Sequence, residues 1–112
     1  MVRRDLNVLD AAERAEILIN QLVHRRPGRR LLNPGQMRRS VHAVGANISE
    51  AFGRGTGADR SRILRIARGD AEETIHQLQV NLQAARISEK EYWSRRNLLA
   101  VIVKMLNARV CD

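Results

Sequence analysis

Aromatic side chains are almost missing from this chain. Phe52, Tyr92 and Trp93 are the only three in 112 residues, so a core has to be built from Leu, Ile, Val, Ala and Met, as in helical bundles. Cys111 is the single cysteine, which excludes an internal disulfide framework and a thiolate metal cage. The two prolines, Pro27 and Pro34, both fall in RRPGRRLLNPG, so the rest of the chain is free to be helical. No apolar run approaches the roughly 18 residues needed to span a bilayer. The N-terminal MVRRDLNVLDAAER lacks the form of a secretory signal, and the expectation is a cytoplasmic protein with no membrane attachment. The length suits one domain, residues 1–112, with no room for a second core.

Apolar residues recur at spacings of three and four, which predicts an all-α fold: an up-and-down antiparallel four-helix bundle with helices at about 8–24, 36–52, 57–85 and 89–110. Val8, Ala12, Ala15, Ile19 and Leu22 form the first inner stripe, with Asn7 as its expected N-cap. Met37, Val41, Val44, Ile48 and Phe52 form the second, and Gly53 is the expected C′ glycine. Thr56 and Asp59 have capping-box spacing before the third stripe, which runs from Leu64 to Ala85. Ser88 and Glu91 repeat that spacing before the fourth. The third and fourth helices are joined by a few residues only, so they should be antiparallel neighbours. Ile63 and Ile66 plot away from the inner stripe of helix three, and Ala43 and Ala46 give helix two a small-residue outer face. These faces are either ordinary surface or a contact with another subunit.

Charge is distributed unevenly. Twenty basic residues, eighteen of them Arg, face twelve acidic ones. Residues 24–68 carry eleven basic and two acidic groups, while the flanking segments are close to neutral. An Arg-rich solvated surface is one reading. The local shortage of carboxylates favours a phosphate-binding field instead. The residues that would form it are Arg25, Arg26, Arg29 and Arg30 in the first loop, Arg38 and Arg39 at the start of helix two, and Arg54, Arg62, Arg65 and Arg68, with Arg60 among them. Guanidinium groups suit bidentate phosphate contacts. With so few aromatics in this segment, contact with the backbone is expected rather than base reading.

Other motifs carry less chemistry. Glu73-x-x-His76 is half of a di-iron element, and no second half exists, so neither metal nor cofactor is expected. No nucleophile has a base partner set, so no catalytic activity is expected. GRGTG at 53–57 matches no nucleotide-binding loop; it reads as a helix stop followed by a cap, with a phosphate held at the start of helix three as the alternative. Asn47, Glu50 and Arg54 share a helix flank, either as a solvated ion pair or as a polar contact between subunits.

MRRSVHAVGANISEAFGRG followed by RILRIARGDAEE resembles the four-helix bundle family of 23S rRNA intervening-sequence proteins. The resemblance rests on Arg38, Arg39, Asn47, Ile48, Glu50, Phe52, Gly53, Arg54, Leu64, Arg65, Ile66, Ala67, Gly69 and Glu73, and spans residues 6–110. It implies a ring-shaped homo-oligomer, typically a homopentamer, and kinship with accessory proteins of diversity-generating retroelements that associate with a reverse transcriptase and nucleic acid. Two positions depart from the pattern: Gly45 stands where proline is usual, and Ala51 where glycine is usual. The expected function is a non-enzymatic, nucleic-acid-binding accessory oligomer. The alternative is an adaptor oligomer that docks an acidic protein. The expected subunit contacts are Ala43, Ala46, Asn47, Glu50, Ile63 and Ile66.

Overall fold

The computed structural model describes residues 3–25, 30–54 and 57–110, with side chains from Asn7 onward. The described residues contain four helices and no strand: α1 (Arg3–Val23), α2 (Pro34–Phe52), α3 (Gly57–Gln83) and α4 (Glu89–Asn107). Contacts join α1 to α2, α2 to α3, α3 to α4 and α4 back to α1, closing a four-sided arrangement. The buried core is aliphatic apart from Tyr92, and includes Ile19, Met37, Ile48, Leu64, Leu78, Leu99, Ile102 and Leu106.

Helix ends follow local chemistry. Ser88 caps α4 by accepting from the Glu91 amide at 3.0 Å, while the Glu91 carboxylate accepts from the Ser88 amide at 2.8 Å, which completes a capping box. Proline opens α2, where its missing N–H costs nothing, and the preceding Asn33 takes the left-handed conformation with φ 51°. Three expectations are corrected. Asn7 does not cap α1, because helical backbone continues through it to Arg3. Gly53 does close α2, but at φ −83° and ψ −10°, a conformation open to any L-residue. The third helix stops at Gln83, short of 85. There the Arg86 amide donates to the Asn81 carbonyl at 2.8 Å and the Ala85 amide to the Leu82 carbonyl at 3.0 Å. This is a Schellman ending with Ala85 at φ 57°, where glycine would be unstrained. The expected cap Thr56 lies outside the described residues.

The seam between α2 and α3 is partly polar. Ser40 and Thr74 are both buried and their hydroxyls meet at 2.8 Å. Asn81, 0% exposed, accepts from the Leu32 amide at 2.7 Å and donates to the Leu32 and Gln77 carbonyls at 3.2 and 2.8 Å. One side chain of α3 thereby satisfies both backbone groups of a residue in the approach to α2. The two departures from the family pattern fit without strain. A Cβ at Gly45 would come no closer than 3.8 Å to the Ala12 methyl, and α2 runs unbroken past it. The Ala51 methyl is fully buried.

Ala85→Gly should raise stability by about 1 kcal/mol, the order of the penalty an L-residue carries in the left-handed region. Urea denaturation of the two proteins checks this, with an unchanged m-value expected.

Candidate nucleic-acid interface

The arginines of the middle segment divide according to whether a carboxylate of the same chain reaches them. Arg25, half-buried at the end of α1, donates to the Glu91 carboxylate of α4 at 2.5 Å and also to the Arg86 carbonyl. It ties the first loop to the start of α4. This corrects its place among the phosphate ligands: its charge is met by an acid outside the basic segment. Beside it Arg95 donates to the Leu18 carbonyl at 3.0 Å and the Glu91 carbonyl at 3.1 Å.

Arg54 lies between Glu50 at 2.8 Å and Asp59 at 3.2 Å, and Arg62 takes the other Asp59 oxygen at 3.1 Å. The hydrogen bond to Glu50, with the nearby Asp59 charge, raises the Arg54 pKa further. Two guanidinium groups and two carboxylates thus form a neutral exposed network where the sequence suggested free charge. The forward spacing from Arg62 finds no acid; its partner lies three residues back. Arg60 stacks over Phe52 at 5.7 Å, and Arg68 donates to Asn107 of α4 at 2.7 Å. Arg65 is half-buried and also engaged.

Arg38 and Arg39 differ. Both are exposed on α2 and line a cleft of about 300 Å³ between α1 and α2 with Glu16, Asn20 and His42. Neither has a hydrogen bond or ion pair among the described residues. Glu16 is occupied by His42 at 2.8 Å. Arg30 is exposed at the same end of the bundle, where its carbonyl accepts from Arg86 at 3.3 Å. Arg26 and Arg29 lie outside the described residues. Of the expected phosphate ligands, Arg30, Arg38 and Arg39 are exposed and form no ion pair among the described residues, and Arg38 and Arg39 share the cleft. His42 and Asn20 complete this cleft; the sequence reading missed them because their proximity depends on how α1 and α2 pack.

The expected subunit contacts also separate. Ile63 is only 3% exposed and belongs to the core of its own chain, which corrects its assignment to an outer face. Asn47 donates to Asp70 of α3 at 2.8 Å, and Glu50 is held by Arg54. Ile66 is 46% exposed; Ala46 is exposed and Ala43 half-buried. Glu73, from the half-motif, accepts from Gln36 at 3.0 Å, and no group of three potential metal ligands occurs among the described residues. No described helix is long and apolar enough to cross a membrane.

A four-helix bundle with a cationic cleft at its first-loop end is the class of protein these features define. The chain belongs to the 23S rRNA-intervening sequence protein family, whose model matches residues 4–108. It is similar to the crystal structure of a protein of unknown function from the S23 ribosomal protein family of Bacteroides thetaiotaomicron. The two are 30% identical with a TM-score of 0.80, over 94% of this chain and 96% of that one. No curated protein matches the chain.

Two carboxyls should give opposite pH signatures. Burial pushes Glu91 up, but the Arg25 guanidinium and Ser88 outweigh it and hold the group below the ordinary value. Its ionised form therefore stabilises the fold above the unfolded pKa, and that contribution is lost as pH falls through the folded pKa. Burial raises Asp70, against the opposing hydrogen bond from Asn47, so its ionisation costs stability as pH rises. Urea midpoints measured between neutral and acidic pH should show Glu91→Gln flattening the acid loss and Asp70→Asn steepening it.

Proposed function

We propose that this protein is a non-enzymatic accessory protein that binds nucleic acid through the phosphate backbone and works as a homo-oligomer in the cytoplasm. The observation that carries the reading is the cleft of Arg38 and Arg39, two exposed guanidinium groups with no carboxylate partner among the described residues. Arg30 adds to the same end. A guanidinium in water loses little on meeting a phosphate and gains a bidentate contact. The family's name refers to an rRNA intervening sequence, and this supports RNA as the first polyanion to test.

The oligomer is read as a ring, with the pentamer as the preferred number, built from bundles of up-and-down antiparallel topology. Arg68 pairing with Asn107 while Gln83 and Glu89 nearly join supports that topology for α3 and α4. The face of α3 that carries Ile66 supports the assembly. Gly69 lies one turn on, and a Cβ added there would meet nothing within 4 Å. Glycine inside an exposed helix costs about 1 kcal/mol relative to alanine, a cost that close approach of a second subunit would offset.

Fluorescence anisotropy with labelled RNA and duplex DNA of unrelated sequence tests the binding. Affinity should fall steeply with salt, and Arg38→Ala with Arg39→Ala should weaken all sequences alike and reduce the log–log salt slope by about 1–2. Absence of binding at low salt removes the reading in favour of an adaptor for an acidic protein. For the assembly, Gly69→Leu should leave helicity unchanged and reduce the native mass, measured by light scattering, to that of one chain. A wild-type protein that is already monomeric removes the oligomer.

A further inference from the structure

The one tryptophan of the chain is not in the core. Trp93 is 47% exposed on α4, although an indole is the side chain that gains most from burial. Its position is fixed from below: the ring of buried Tyr92 meets it edge-on, with centroids 5.0 Å apart and planes at 82°. The Arg96 guanidinium lies over it at 5.6 Å. Arg96 is otherwise bonded only to the neutral Asn97 amide, at 3.3 Å, and Lys104 follows two turns later, exposed. Neither cation has an ion-pair partner among the described residues.

The neighbouring helix completes the flank. The Arg68–Asn107 hydrogen bond joins α3 to α4 on this side, and Arg65 and Glu72 lie on α3 at helical spacings of three and four from Arg68. Glu72 is the carboxylate this face carries along α3. From Asn107 back to Trp93 the helix rises about 20 Å. The result is a line of two cations, Arg96 and Lys104, on the same face of α4 as a half-exposed indole, with the exposed Glu89 carboxylate one turn before the ring. Duplex backbone binding has no use for an indole, because paired bases do not present their faces. An unpaired base does, and a cationic track with an aromatic platform is the combination that holds single strands without regard to sequence.

We propose that the α4 flank of Trp93, Arg96 and Lys104 binds single-stranded nucleic acid, with an unpaired base stacked on Trp93 and the adjoining phosphates against the two cations. The proposal rests on the nucleic-acid reading above but uses a different surface and a different feature of the ligand. It would let one bundle hold a structured and an unpaired region of the same molecule.

Because Trp93 is the single tryptophan, its emission, excited where tyrosine does not absorb, reports on this site alone. The wild-type protein is titrated with short oligouridylate and oligothymidylate, and with a blunt DNA duplex of the same length, at low salt. The single strands should quench the emission and the duplex should not. By anisotropy, Trp93→Ala should weaken single-strand binding about tenfold and leave duplex affinity unchanged, while Trp93→Phe retains most of it. Single strands that bind without changing the emission overturn the proposal, as does a Trp93→Ala protein with full single-strand affinity. Either result leaves the Arg38–Arg39 reading standing, because that reading is tested by duplex affinity, which the Arg38→Ala, Arg39→Ala protein should lose and the Trp93→Ala protein should keep. If no nucleic acid binds, the nucleic-acid reading and this proposal fail together.

Discussion

A guanidinium held by a carboxylate of its own chain is a poor ligand for a phosphate, since the incoming anion must displace a partner already in place. This competition organises the molecule. The bundle has few acids near its arginines, and their positions decide which cations serve the fold and which stay available. Glu91 takes Arg25, and the first loop is pinned to α4. Asp59 and Glu50 take Arg54 and Arg62, and the connection between α2 and α3 is laced by ion pairs instead of presenting charge. Such exposed pairs contribute little to stability. Their larger effect is to occupy Arg54 and Arg62, whereas Arg38 and Arg39 form no ion pair among the described residues and the nearby Glu16 is taken by His42.

The polar groups inside the bundle act differently. Ser40 with Thr74, Asn47 with Asp70 and Asn81 with Leu32 all lie between α2, or the segment leading into it, and α3. An aliphatic seam tolerates sliding by a turn, because one Leu packs much like another. A buried hydroxyl or amide does not, since a shifted register leaves it unpaired at a cost of about 1–3 kcal/mol. These contacts fix the position of α2, which forms one wall of the candidate cleft, relative to α3, which carries Ile66.

Legibility in the sequence tracked the range of the interaction. The capping box of Ser88 and Glu91 could be read because both partners lie within one turn. The inner stripes could be read because burial has the period of the helix. Ile63 was placed outside because a helical plot ranks residues about a single inner direction, whereas α3 packs against both α2 and α4 and buries a wider arc. Arg25 was read as a phosphate ligand because its acid is 66 positions away in sequence. The Schellman ending at Ala85 escaped notice because alanine gives no signal for a left-handed residue.

The sequence alone determined the helical class, the aliphatic core, the excess of arginine and its crowding into the middle of the chain, since each is a property of composition or of short periodic spacing. Tertiary structure decided which arginines remain unpaired, where Trp93 stands, and which face Ile63 belongs to. Those outcomes depend on distances between residues remote in the chain, and such distances exist only once the helices have packed.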